Sequence, residues 1–359
     1  MKIYLYTMDK EAVLDESQFF AILFATENFH ELLTYAEYDN CIITGDELSI
    51  LMSAGVPTAT IIYCLDRCRL NINNRSMKKA AELRSEIFTY LAIRHLREGA
   101  QHTMRDILDC FTYFHPTEVI EFILDNYEKY GIDIQYNNTR KWKLIHYMCE
   151  YSPPKMMKRI IDIYVDNGWN LRHKDWNSMG IIHHVCLYSS SETVRYMIDI
   201  FMDNGWGLLE MTEKLNTPFN FICKKHDFET IKYMFDIYIR MGWDIHHQNE
   251  RGCSALFLAA TNKQNNTHFE KLVDLYIENG LYLDINIDLP GVEIIHMACK
   301  FFSPRTIIKI IDYYVKYGLS VFKRVRYIDG NEYDVEDILD LDMLDRDLDD
   351  VYKRLFELR

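Results

Sequence analysis

Apolar and polar positions along this chain fall into one pattern that returns at a nearly fixed step. The segments NYEKYG, IYVDNG, IFMDNG, IYIRMG, LYIENG and YYVKYG end at Gly131, Gly168, Gly205, Gly242, Gly280 and Gly318, in steps of 37, 37, 37, 38 and 38 residues. Six residues before each glycine stands an aspartate: Asp125, Asp162, Asp199, Asp236, Asp274 and Asp312. Two residues after each aspartate comes an aromatic side chain: Tyr127, Tyr164, Phe201, Tyr238, Tyr276 and Tyr314. Positions two apart on a helix are separated by ~200°, so if the aromatic faces a core the aspartate faces water. The glycine ends the helix, because a left-handed residue costs little without a Cβ.

A second landmark follows 18 residues after the first four glycines, at Cys149, Cys186, Cys223 and Ala260, and 19 residues after Gly280, at Cys299. Four residues before each of these is an apolar residue: Ile145, Ile182, Phe219, Leu256 and Ile295. One unit is used several times, and such periods signal stacked repeats.

Within that frame the residues resemble the ankyrin repeat. From Gly242, GWDIHHQNERGCSALFLAA lies on the ankyrin order of glycine, turn and Thr-Pro-Leu-His without a gap. Asn216-Thr217-Pro218-Phe219 supplies the Thr-Pro, and Ile145-His146, Ile182-His183 and Ile295-His296 supply the Leu-His pair. The resemblance covers roughly residues 100–321. It implies an all-α, ankyrin-type solenoid of helix-turn-helix repeats joined by hairpin-like loops, with helical caps at both ends. It also implies that the histidine braces the turn and the cysteine fills a small-residue core position. The ankyrin period is about 33 residues. Here the excess falls between the Cys or Ala landmark and the next glycine, so the second helix, as in Pro154 to Asn167, is expected to be a turn longer.

The ends fit less closely. From Tyr333 one apolar stripe (Leu339, Met343, Leu344, Leu348, Val351, Tyr352, Leu355) predicts a single capping helix. Eleven acids against one Arg between Asp329 and Asp350 make it the most acidic stretch. Near the start, Leu48 to Met52 followed by Leu70 to Asn73 reads as a degenerate repeat, Met77 to Arg97 as one helix, and MKIYLY as a short strand. The expected division is 1–99, a helical cap or small domain, 100–321, the array, and 322–359, an acidic cap.

Composition removes several classes of function. A net charge of −14 argues against tracking a phosphate backbone, so no nucleic-acid partner is expected. No apolar run approaches the ~20 residues of a membrane span and the start lacks the features of a signal peptide, so a cytoplasmic protein is expected. Nine cysteines without tight spacing read as thiols in a reducing compartment. Nucleotide-binding and hydrolase signatures are missing, and HELLT at His30-Glu31 lacks the second histidine of a zincin, so neither an enzyme nor a cofactor is expected.

Three ladders carry candidate chemistry. His146 with Cys149, His183 with Cys186 and His296 with Cys299 share a helix face, as zinc ligands would. Equivalent atoms of stacked repeats stand ~10 Å apart, however, whereas each ligand must lie ~2.0–2.3 Å from the metal. A structural role is therefore the expectation. Trp169, Trp206 and Trp243, each directly after a glycine, are either an aromatic platform or a buried stripe between repeats, and the stripe is the expectation. The aspartates are either a row of charge for a basic partner or a solvated face.

The turns are expected to project as fingers that hold a protein partner of acidic or mixed surface. In the first, Tyr136, Asn138 and Arg140 are the candidate contacts; in the second, Arg172, His173, Lys174, Trp176 and Asn177. The next two offer Thr212, Glu213 and Lys214, then His247, Gln248, Glu250 and Arg251. The style of the sequence resembles ankyrin proteins of giant DNA viruses of amoebae, which implies action in a host cytoplasm. A monomeric interaction scaffold is the first reading. The alternative is a substrate receptor of a ubiquitin ligase whose N-terminal region recruits the machinery.

Overall fold

The computed structural model describes residues 3–7, 10–14, 42–99, 103–111, 116–138, 140–260, 266–283, 294–326, 331–341 and 347–359. The chain divides into two compact units, Met1–Tyr151 and Ser152–Arg359, each built from paired helices.

In the first unit β1 (Ile3–Thr7) pairs antiparallel with β2 (Lys10–Leu14). The helix pairs are α1 (Gly45–Ser53) with α2 (Thr58–Arg67), α3 (Asn74–Leu83) with α4 (Ser85–Glu98), and α5 (Thr103–Cys110) with α6 (Thr117–Tyr130), followed by α7 (Leu144–Tyr151). First helices α1, α3 and α5 pack in one row and second helices α2, α4 and α6 in another. A two-stranded parallel ladder, β3 (Ile42–Thr44) with β4 (Arg69–Asn71), links the residues before α1 to those before α3. The single helix expected from Met77 to Arg97 is thus two. Arg84 leaves the helical region at φ −146° and ψ 83°. Its guanidinium reaches back to Thr58 Oγ1 at 3.1 Å and the Met52 carbonyl at 3.4 Å, which places α3 and α4 in different rows.

In the second unit the longer helices are α8 (Pro154–Asp166), α10 (Ser191–Asp203), α12 (Phe228–Met241), α14 (Asn266–Glu278) and α16 (Pro304–Lys316), each 13 or 14 residues. Between them come the shorter α9 (Ile181–Tyr188), α11 (Pro218–Lys225), α13 (Ala255–Ala260) and α15 (Ile294–Phe301). A hairpin of β5 (Val325–Arg326) and β6 (Glu332–Tyr333) leads to α17 (Val335–Leu341) and α18 (Asp349–Glu357). α17 packs on the first helix α15 and α18 on the second helix α16. The C-terminal stripe is therefore a further helix pair and not one capping helix, because Asp347 and Leu348 are not helical. Leu339, Val351 and Leu355 are buried as expected, whereas Met343 and Leu344 lie outside the described residues.

One device closes every second helix of the array. All six glycines are left-handed, with φ between 61° and 66°. The amide that follows each donates to the carbonyl of the aromatic five residues back: Ile132 to Tyr127 at 2.7 Å, Trp169 to Tyr164 and Trp206 to Phe201 at 2.8 Å, and Trp243 to Tyr238 at 3.0 Å. Leu281 to Tyr276 and Leu319 to Tyr314 repeat it at 2.8 Å. This is the Schellman termination, in which the residue beyond the glycine also makes an apolar contact with the residue whose carbonyl it caps. The tryptophans supply that contact. Trp169 stands edge-on to Tyr164 at 5.4 Å, Trp206 to Phe201 at 5.3 Å and Trp243 to Tyr238 at 5.3 Å, each such pair contributing about 0.5–1.5 kcal/mol. They are half-buried and pack within their own repeat, which corrects the expected buried stripe between repeats. The capped aromatics are buried from Tyr164 onward, and Tyr127 is half-buried.

The aspartates are neither an idle face nor an open row of charge. Asp162 accepts from the Tyr196 hydroxyl, Asp199 from Tyr233, Asp274 from Lys309 and Asp312 from Arg354, each bond reaching the next second helix. Burial and the facing aspartates push the Tyr196 and Tyr233 hydroxyls up to about 12. Asp236 pairs instead with Lys232 one turn earlier in its own helix.

At Gly205 a Cβ would meet nothing within 4 Å, so only the left-handed backbone resists a side chain there. Gly205→Val is expected to lower the free energy of urea unfolding by about 1–2 kcal/mol. A variant as stable as the parent would show that the cap does not constrain the fold.

Candidate interaction surface

Four fingers, each between a second helix and the next first helix, are framed by one short polar side chain apiece. Asn138, Asp175, Thr212 and Asn249 occupy the same place at steps of 37 residues. The backbone N–H of each donates to the carbonyl four residues on, at 2.9, 2.9, 3.0 and 3.1 Å. Its side-chain oxygen accepts the amide of that same residue: Trp142, Met179, Asn216 and Cys253, at 3.0–3.1 Å. The residue between is left-handed in every copy: Lys141 at φ 57°, Ser178 at 58°, Leu215 at 56° and Gly252 at 70°. A side chain that hydrogen-bonds its own backbone in this way favours a turn.

This corrects two candidate contacts. Asn138 and Thr212 are buried frame residues turned into their fingers, and Asn138 also donates to the Tyr147 hydroxyl at 2.8 Å. Their counterparts Asp175 and Asn249 complete the set, which no single recurring letter marks in the sequence. Asp175 is 4% exposed; its second oxygen lies 3.2 Å from Nε2 of buried His184.

The histidines brace the fingers as the resemblance implies. His183 Nδ1 accepts the Gly180 amide at 3.0 Å, which leaves Nε2–H to donate to the Glu210 carbonyl in the next finger at 2.8 Å. His146 Nδ1 accepts from Lys143 at 3.0 Å, and His296 Nε2 lies 3.0 Å from the Lys323 carbonyl. Cys149 donates to the Ile145 carbonyl at 3.1 Å, and burial raises the Cys223 thiol well above its ordinary value. Among the described residues no three His, Cys, Asp or Glu side chains are grouped to hold a metal, and no helix is long and apolar enough to cross a membrane.

Within the second unit the fingers lock to one another. Glu213 N–H donates to the Asn177 carbonyl at 3.1 Å, Glu250 N–H to Lys214 at 3.0 Å and His247 Nε2 to Leu215 at 2.8 Å. Arg172 and Lys174 both lie on the carboxylate of Glu210, at 2.7 and 3.3 Å, so these cations are already committed. Outward from the frame the tips differ. Trp176 is 63% exposed, and Glu213, Lys214, Gln248, Glu250 and Arg251 are exposed too. His173, Asn177 and His247 are half-exposed. In the first unit Arg140 is exposed and Tyr136 half-buried.

A short first helix, a longer second helix closed by a left-handed glycine, and a framed finger leading to the next pair make an all-α, ankyrin-type architecture. No family model matches the sequence, and no curated protein matches it. Among solved structures the chain is similar to the ankyrin repeat domain of Bcl-3, at 14% identity and a TM-score of 0.40 over 70% of this chain and 96% of that one. It is similar to the human ASB11 ankyrin repeat domain at 14% identity and a TM-score of 0.46, over 73% and 96%. A third is a chain of the complex between the predatory endopeptidase Bd0816 of Bdellovibrio bacteriovorus and the immunity protein Bd3460, at 13% identity and a TM-score of 0.40, over 61% of this chain and 99% of that one. At such values the fold assignment rests on the repeat geometry itself.

The bracing histidine sets a pH dependence. Burial lowers His183 from 6.5 to about 4, against the opposing pull of its bond to the Glu210 carbonyl. Between those pH values the unfolded chain binds a proton that the folded chain refuses, so stability falls as pH falls. Between pH 7 and 5 the loss from His183 is about 2 kcal/mol, and buried His226, also lowered, adds in the same direction. Asn220 takes the same place in the next repeat and accepts the Thr217 amide at 2.8 Å. His183→Asn should therefore keep the cap bond and flatten the urea-unfolding free energy between pH 7 and 5. An unchanged slope would contradict the assignment.

Proposed function

We propose that the protein is a non-enzymatic scaffold that holds another protein along its fingers and the adjoining first helices. The observation that carries this reading is the division of labour within each finger. Asn138, Asp175, Thr212 and the brace histidines are buried and Asn249 half-buried, while Trp176, Glu213, Lys214, Glu250 and Arg251 project with side chains that make no hydrogen bond or ion pair among the described residues. Fingers already fixed by backbone bonds lose little freedom on binding, and an exposed Trp beside cations is a composition favoured at hot spots. Lys214 and Arg251 occupy the same place in neighbouring fingers of the second unit and offer cations to an acidic or mixed partner surface.

The test uses the immobilised full chain and extract of its native cell. Trp176→Ala combined with Lys214→Glu and Arg251→Glu is expected to lose a protein that the parent retains. Exposed substitutions of this kind cost within about 0.5 kcal/mol each, so the melting temperature should barely move. Retention of the same set of proteins by both forms would refute the finger reading.

A further inference from the structure

The second-helix row carries a feature that stacking does not need. α14 and α16 approach each other less closely than the preceding second helices do, and a cleft of about 490 Å³ lies between them. Ile277 and Tyr313 supply its apolar part, ringed by charged side chains. Those charges are unequal in availability. Lys309 is held by Asp274, and Asp312 is held by Arg354 at 2.8 Å. Arg305 and Lys316 remain as cations without an ion pair among the described residues, against one uncommitted acid, Glu278. At a helical rise of 1.5 Å per residue they stand about 16 Å apart along α16.

The apolar part runs out to the surface through three tyrosines. Tyr313 is 5% exposed and takes the place of Ile163, Ile200, Ile237 and Leu275; its hydroxyl accepts the Leu283 amide at 3.1 Å. Its ring lies 4.5 Å from that of Tyr317, 42% exposed, which lies 6.4 Å from that of Tyr282, 66% exposed. Earlier repeats place Tyr130, Asn167, Asn204, Met241 and Asn279 where Tyr317 stands, and Asp133, Asn170, Gly207 and Asp244 where Tyr282 stands. Exposed tyrosines leading into a cleft that carries an arginine make a composition enriched at contact surfaces.

We propose that this cleft and its tyrosine rim form a second docking site, independent of the fingers, for an amphipathic helix of a partner protein. Its apolar side chains sit on Ile277, Tyr313 and Tyr317, and acidic side chains about three turns apart meet Arg305 and Lys316. A helix suits a groove that runs between two helices, and the spacing of Arg305 and Lys316, whose ammonium lies over the Tyr317 ring at 5.2 Å, selects acids at its two ends. A second copy of this chain is the poorer occupant, because two chains each carrying −14 repel.

The full chain is titrated calorimetrically, at low salt, with an amphipathic peptide that has two leucines between a glutamate at either end. Saturable binding at one peptide per chain is expected. Arg305→Glu together with Lys316→Glu should weaken it about tenfold or more. The same peptide with lysines at its ends should then bind the double variant better than the parent. Both positions are exposed, and an unchanged melting temperature verifies that the variant folds. Absence of saturable binding, or an affinity indifferent to charge reversal, overturns the proposal. So does self-association of the peptide-free protein that Tyr282→Ser abolishes, since a second copy would then cover the face.

Discussion

A single hydrogen bond, made six times, decides how the repeats are built. The amide after each left-handed glycine closes onto the carbonyl of the aromatic residue five positions earlier. That bond satisfies a carbonyl the helix would otherwise leave open and turns the chain sharply out of the helix. From Tyr164 onward the aromatic whose carbonyl is capped is also a core residue, so the same side chain that anchors a second helix fixes the point where its finger starts. Tryptophan after the glycine packs on that aromatic and stiffens the exit.

From that fixed exit the fingers follow. A short polar side chain folds back on its own loop, a left-handed residue turns the tip, and a histidine on the next helix ties the base. In the second unit the fingers that carry Asn177, Lys214 and Glu250 then bond to one another through backbone groups. Tip side chains are thereby released from structural duty. The Glu210 carboxylate shows the opposite case, where Arg172 and Lys174 are spent on holding one finger to the next. Tyrosine-to-aspartate bonds do for the second helices what the finger bonds do for the turns, and Arg354 on Asp312 carries the same link to the last helix.

Spacing alone made the repeat visible, because glycine, aromatic and aspartate each have a fixed task. It could not tell a contact within a repeat from one between repeats, since both recur at 37 residues; hence the different role of the tryptophans. The frame positions were hidden by chemistry: Asn, Asp and Thr perform one task, so no single letter recurs. Left-handed Lys141, Ser178 and Leu215 left no signal either, because the turn is imposed by the frame residue beside them and only Gly252 advertises it. Arg84 breaks its helix without a glycine or proline, through bonds to residues of the preceding helix pair that lie far off in sequence. The framed, buried state of Asn138 and Thr212 was illegible for a related reason, since a polar residue in a loop reads as exposed until its partners are known.

Native-state hydrogen exchange, read at single residues, tests the central claim most directly. The amides of Trp169, Trp206, Trp243, Leu281 and Leu319 lie outside their helices, yet each donates to the carbonyl of a core aromatic. They are predicted to exchange as slowly as amides in the middle of the second helices, opening only when the repeat itself opens. Exchange at the rate of the exposed finger tips would contradict the account.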